Sequence, residues 1–241
     1  MCKGHFLVGM NRRAFVAAGA AGALLPGAIL GQTPTVQAPS APPPRPTARD
    51  LSPADVLNLL NEGNSRFVAG NIMAPNRNVA RMREVAVGQT PIAAFLGCAD
   101  SRVPIEIVFD QGFGDIFVTR IAGNVANPEI IGSLEFGTSV LGAKVLYVLG
   151  HTSCGAVAAA ARGEEVPGQI STLFYHLRPA VREARGDPDR AIRENVRIQA
   201  TLLAEASPVI ARLVRAGRLR VAGGVYDLTT GRVTPVEIAQ R

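Results

Sequence analysis

Tryptophan is absent from this chain of 241 residues, and cysteine, histidine and tyrosine occur only three times each. Three cysteines, at positions 2, 98 and 154, are too few and too scattered for a disulfide framework, which excludes a small cross-linked scaffold. Charged residues are also sparse at 18%, and no Lys/Arg-rich block interleaved with aromatics occurs, so the usual footprint of a nucleic-acid-binding protein is missing. The formal net charge of +6 does not restore it. Residues 1–31 carry Lys3, Arg12 and Arg13 and no acid, leaving 22 bases against 19 acids in the remainder. What is plentiful is apolar: a hydrophobic content of 47% excludes a disordered chain and suits a globular one with a sizeable core.

The front of the chain reads as an address rather than as fold. From Met10 it runs MNRRAFVAAGAAGALLPGAILGQ: a basic pair (Arg12, Arg13), an Ala/Gly-rich apolar stretch from Ala14 to Leu30, and small residues around Ala28 and Gly31 suited to signal peptidase. The paired arginines, with Phe15 two positions after the second, resemble a twin-arginine export signal, so residues 1–31 are expected to direct the protein to the periplasm. The alternative is an uncleaved membrane tether, but the run is short for a span of about 20 residues, and no stable span is expected in the mature protein. Met10 is a plausible true start, which would leave Cys2 and His5 outside any chemistry. Residues 32–50, with six prolines, read as an extended linker, and the folded domain is expected over 51–241.

Within that domain Ser52 and Pro53 carry N-cap and first-turn signals, and Val56, Leu59, Leu60 and Phe67 share a helical face that should end near Gly70. Three continuous apolar runs, at 91–98, 115–123 and 144–151, predict strands buried on both faces. A helical segment beginning at Asn127-Pro128 and ending at Gly142 separates the last two, which implies a right-handed parallel crossover. A strand pair around TTGR and one long helical stretch over 188–216 complete the reading. The expected fold is a single α/β domain with a mostly parallel four-stranded sheet, an edge strand, and helices on both faces.

Two strand ends carry chemistry. Cys98 closes the first run, in LGCADSRVP, and His151 closes the third, in VLGHTSCG, with Cys154 three residues on where a helix begins. Sites of open α/β sheets assemble at the carboxyl ends of strands, so these remote segments can converge. Two thiolates and an imidazole suit zinc and leave a fourth position for water, the mark of a catalytic site. A helix N-terminus would favour the Cys154 thiolate. Asp100 and Arg102, just after Cys98, can form a bidentate pair that aims the carboxylate at the metal. The spacing His-x-x-Cys alone is equally consistent with buried strand-end side chains; the convergence of both segments is what favours metal. His176, in FYHLRPA, reads as a packing or solvated histidine outside the site.

CADSRVP followed by HTSCGAV resembles the β-class carbonic anhydrases, with their Cys-x-Asp-Ser-Arg and His-x-x-Cys-Gly signatures. LLNEGNSRFVAG, GQTP, DIFVTRIAGN, GSLEFGTSVLGAKVLYVLGHTSCGA and GGVYDLTTGRV resemble the family too, in order, so that the resemblance spans about residues 52–237. It implies one zinc per subunit on Cys98, His151 and Cys154, with Asp100 orienting a zinc-bound hydroxide and Arg102 holding Asp100. It also implies reversible hydration of CO₂ to bicarbonate and a proton. Gln89 matches a glutamine that hydrogen-bonds substrate or bicarbonate, and Phe117 an apolar pocket residue. Both act across a dimer interface in the family, so a homodimer or tetramer is expected. Phe136 stands where many members have Tyr, which removes a hydroxyl near the pocket. The missing tryptophan, with Gln89 present, matches the constitutively open subgroup rather than the one with a non-catalytic bicarbonate site. Two other readings use the same residues: a carbonyl sulfide or carbon disulfide hydrolase, and a non-catalytic zinc or redox module.

Overall fold

A computed structural model describes residues 51–163 and 165–239. The expected export signal and linker lie outside the described residues, as do Cys2 and His5. The first helix, α1 (Pro53–Val68), opens on a full capping box: Ser52 accepts from the Asp55 amide while Asp55 accepts from the Ser52 amide. Val56 and Leu60 are fully buried on its inner face. Helix α2 (Val79–Glu84) and a short 3₁₀ turn (Val85–Val87) follow, and then strand β1 (Ala93–Gly97). Next come α3 (Ile105–Val108), β2 (Ile116–Arg120), α4 (Pro128–Glu135), β3 (Val145–His151) and α5 (Gly155–Arg162). The chain ends with α6 (Ile170–Ala184), α7 (Pro188–Ala206), α8 (Pro208–Arg215), β4 (Arg220–Tyr226) and β5 (Val233–Val236).

The five strands form one sheet in the order β2-β1-β3-β4-β5. The first four are parallel, and β5 joins the edge antiparallel to β4. Every residue of β1 and β3 is buried, as their unbroken apolar character predicts. One face of the sheet packs on α4, α7 and α8 through Leu134, Val196, Leu203 and Ile210; the other packs on α1 and α3 through Leu60, Ile105 and Phe109. A third cluster covers the carboxyl ends of the central strands, where Cys98, Cys154, Leu177 and Ile192 meet. This is the expected mostly parallel sheet with one antiparallel edge.

Three local expectations need correction. Strand β2 is not buried on both faces: it is the outer parallel strand, with Ile116 to Thr119 only half-buried and Arg120 exposed. An apolar run cannot distinguish an interior strand from the outer strand of a sheet. The stretch over 188–216 is two helices, broken where Ser207 caps α8 on the Ile210 amide and Pro208 takes its first turn. The segment beginning at Asn127 is α-helical only to Glu135 and finishes as a wider π turn over Phe136–Val140.

The core on the α7 side carries a direct consequence. Leu203 is fully buried there. Leu203→Ala is expected to cost about 2–5 kcal/mol of stability through the cavity it leaves, read as a lower denaturation midpoint at unchanged slope.

Candidate metal centre

The parallel register brings the two ligand-bearing strand ends side by side: Gly97 of β1 pairs with Leu149 of β3, so Cys98 and His151 leave the sheet as neighbours. Gly150 permits this packing, because a Cβ there would stand 2.6 Å from a Val196 methyl of α7. After His151 the chain turns sharply through Ser153, held at φ +54°, and Cys154 becomes the N-cap of α5. The Sγ atoms of Cys98 and Cys154 and a ring nitrogen of His151 lie within 4.8 Å of one another. All three residues are buried, His151 completely.

The histidine is prepared as a ligand. Its Nδ1 lies 2.9 Å from the Thr152 carbonyl, a bond that places the proton on Nδ1 and leaves Nε2 with a free lone pair. Thr152 is itself pinned, donating its amide to the Tyr226 carbonyl and accepting the Leu228 amide on Oγ1. Nε2 is buried without a hydrogen-bond partner among the described residues. A buried nitrogen without a partner, facing two sulfurs, is what a metal would satisfy. The two thiols differ in how readily they take charge. Hydrogen bonding from Cys154 draws Cys98 down to about 4 against the effect of burial, with His151 and the Asp100 and Gly123 amides helping. The bond to Cys98 and burial push Cys154 well above the usual thiol range.

Asp100 and Arg102 form the expected pair. The Arg102 guanidinium donates to both carboxylate oxygens, at 3.0 and 2.8 Å, and its backbone amide donates to Oδ1 at 2.9 Å. The Arg102 side chain is the main cause that holds Asp100 far below the ordinary carboxylate range; burial opposes it, and the Arg102 amide and His151 add to it. Asp100 Oδ2 lies 3.7 Å from His151 Nε2, at the mouth of the cluster. Arg102 also reaches the Ser153 carbonyl at 3.4 Å, which links the two signature loops.

The structure adds residues that the sequence did not single out. Arg120, at the end of β2, donates to the Cys98 carbonyl at 2.9 Å and to the Asp100 carbonyl, strapping the first loop to the sheet. The Gly123 amide donates to Cys98 Sγ at 3.3 Å. Nothing in the spacing DIFVTRIAGN announces either contact. The pocket residues implied by resemblance do not join the cluster within one chain. Gln89 is exposed and precedes β1, at the opposite end of a strand roughly 16 Å long from Cys98. Phe117 pairs with Ala94 in the sheet and packs near Phe136, ring centroids 6.4 Å apart, with Phe136 exposed. His176 sits on α6 against Tyr175, away from the metal ligands.

Comparison with known proteins agrees with this geometry. The carbonic anhydrase family model matches residues 93–233. Carbonic anhydrase 2 of Mycobacterium tuberculosis is 38% identical over 191 residues, covering 76% of this chain and 92% of that protein. The carbonic anhydrase of Mycolicibacterium smegmatis is 36% identical over 190 residues, with the same coverage of 76% and 92%. Among solved structures, the β-carbonic anhydrase CafA of Aspergillus fumigatus superposes with a TM-score of 0.58 at 27% identity, covering 66% of this chain and 82% of that one. A tetrameric β-carbonic anhydrase of Sordaria macrospora shares the fold, with a TM-score of 0.61 at 23% identity, covering 76% of this chain and 97% of that one. The chain belongs to the carbonic anhydrase family, in its β class. It is accordingly a carbonate dehydratase, an enzyme built around a Cys-His-Cys metal site.

The ion pair makes a pH-dependent prediction for the metal-free protein. Asp100 has a folded pKa below its unfolded value, so its pairing stabilises the fold above the unfolded pKa and is lost as pH falls through the folded one. In Arg102→Ala the carboxyl should titrate upward, toward the ordinary 3.8, in a carbonyl-carbon NMR titration. The share of the acid limb of the stability profile that belongs to Asp100 should shrink with it, because the folded and unfolded pKa values converge.

Proposed function

We propose that Cys98, His151 and Cys154 hold one zinc ion per subunit and that the enzyme uses it to hydrate CO₂ reversibly to bicarbonate and a proton. The donor set fits zinc, which takes mixed sulfur and nitrogen ligands and leaves one position open when the protein supplies three. Zinc, when bound, supplies a water made acidic enough to lose its proton near neutral pH. The protein supplies the rest. Asp100 stays ionised and can only accept hydrogen bonds, so it orients the attacking oxygen instead of removing its proton. Arg102 engages both carboxylate oxygens and thereby keeps Asp100 off the fourth ligand position, which favours an open site. The Nδ1 bond to Thr152 fixes the ring so that Nε2 is aimed at the ligand position.

The observation that carries this reading is the ionised Asp100 beside three convergent ligands. A metal store or redox module has no use for an oriented carboxylate. Hydrolysis of carbonyl sulfide or carbon disulfide would use the same ligands, but the relatives at 36–38% identity are carbonic anhydrases.

Assembly and export complete the proposal. Gln89, Phe117 and Phe136 would serve the pocket of a partner subunit, as homodimer or tetramer; the half-buried β2 and the exposed Phe136 support this. Residues 10–31 would export the folded, zinc-loaded protein to the periplasm, so that the thiols meet an oxidising compartment already on metal. No helix among the described residues is long and apolar enough to cross a membrane. N-terminal sequencing of the periplasmic fraction should find a chain beginning near residue 32; a purely cytoplasmic protein with residues 10–31 intact would count against export.

The decisive assay is stopped-flow CO₂ hydration near pH 8.5 with zinc content measured on the same sample. Turnover should follow zinc occupancy and fall about 100-fold in Asp100→Ala at equal occupancy. Cys154→Ser should lose the metal. Full occupancy with no hydration, or Asp100→Ala as active as the parent, would overturn the assignment.

A further inference from the structure

The Gly123 amide that donates to Cys98 Sγ is held from behind by the core of the protein. It belongs to a turn, Ala122–Asn124, whose last two residues lie in the left-handed region, Gly123 at φ +75° and Asn124 at φ +44°. Such a conformation persists only when its surroundings impose it, especially at the non-glycine residue. The surroundings here are two side chains of α7. Asn195 Nδ2 donates to the Gly123 carbonyl at 2.8 Å, and Gln199 Oε1 accepts the Ala126 amide at 2.8 Å. Gln199 Nε2 reaches back to Asn195 Oδ1 at 3.2 Å and to the His176 carbonyl of α6 at 3.4 Å. Both residues are 1% exposed, one turn apart on a helix whose neighbouring inward positions are Val196, Ala200 and Leu203.

Two buried amides on an otherwise apolar helix face are costly unless their bonds are made, and an aliphatic pair would fill the space without that demand. We propose that Asn195 and Gln199 are positioning residues for the metal centre: they lock the Gly123 turn so that its amide points at Cys98 Sγ, and so set the donor strength of that thiolate toward the metal. A hydrogen bond to a coordinated thiolate withdraws electron density from sulfur, and partners outside the ligand set commonly govern affinity by 10–100-fold. The relay runs from α6 through Gln199, Asn195 and Gly123 to Cys98. This rests on the reading of Cys98 as a metal ligand.

The test uses the full-length enzyme with cobalt in place of zinc, because thiolate-to-cobalt charge transfer reports sulfur donation directly. Asn195→Leu is close to isosteric and removes the bond to Gly123. Its charge-transfer band should move to longer wavelength as the sulfur becomes more electron-rich, and its zinc affinity, measured by chelator competition, should fall about tenfold because the released turn no longer fixes Cys98 Sγ in place. Leu203→Ala, one turn further along α7, is the control for lost stability alone and should leave both readouts at parent values. Should Asn195→Leu fail to fold, Gln199→Met severs the same relay one residue earlier and should move the band in the same direction. A band unmoved in the folded relay variant, or moved equally by Leu203→Ala, would overturn the proposal. A parent enzyme without any thiolate band would overturn the metal site itself, and the relay with it.

Discussion

The parallel pairing of β1 with β3 is the constraint on which the rest depends. Fifty-two residues separate Cys98 from His151 at their nearest, yet one ladder register, Gly97 against Leu149, sets their strand ends together. The three clustered ligand residues and the Asp100–Arg102 pair hang from those two exits. The first continues into the loop bearing Asp100 and Arg102; the second turns through Ser153 to put Cys154 at the head of α5. A parallel pair needs a crossover, and the crossover here supplies α4 and the π turn that close one face of the sheet. A slip of one residue in that register would turn Cys98 or His151 to the opposite face and dissolve the cluster.

Burial then makes the cluster incomplete without a cation. Two thiols and an imidazole packed among Val125, Val157 and Leu177 cannot all take their metal-binding protonation states unaided. The bond from Cys154 favours charge on Cys98, whereas that same bond and burial disfavour it on Cys154. A divalent ion, if held by these three residues, would supply the positive charge that both thiolates need. Asp100 avoids the same problem by lying at the rim, where Arg102 is at hand and water reaches both. On the proposed function, this division between a dry ligand set and a wet, ion-paired carboxylate would separate metal retention from orientation of the nucleophile.

Much of this was legible in the sequence, and what was not has a physical reason. Strands β1 and β3, the cap at Ser52 and the Asp100–Arg102 pair announce themselves through local pattern or short spacing, and the three clustered residues through their places at two strand ends. Strand β2 was legible as a strand but not as an edge, since hydrophobicity records that a surface is covered and not by what. The break at Ser207 carried a readable Ser-Pro signal that the amphipathic pattern on either side overrode. Arg120, Asn195 and Gln199 were invisible for a different reason. They act on backbone carbonyls and amides 22 to 73 positions away, and a backbone acceptor leaves no trace in side-chain identity. The pocket residues Gln89, Phe117 and Phe136 were nameable only by resemblance, because within one chain they do not join the ligand cluster.

The two signature loops are joined before any metal arrives. Arg102 of the first reaches Ser153 of the second; Arg120 fixes the first to β2; Thr152 of the second is fixed to β4. Each of these bonds ends on a backbone atom, so the geometry is imposed on the chain and not merely on rotamers. A site assembled this way loses little conformational freedom when it takes its ion, and more of the ligation energy appears as affinity. It also explains why an arginine appears at each of two corners. A planar guanidinium can span two acceptors at once, and here one spans a carboxylate and a neighbouring loop while the other spans the Cys98 and Asp100 carbonyls on either side of Ala99. Lysine, with a single point of charge, would hold one end of each span and leave the other loose. The rigidity that keeps Asp100 aimed therefore comes from the shape of its neighbours' side chains as much as from their charge.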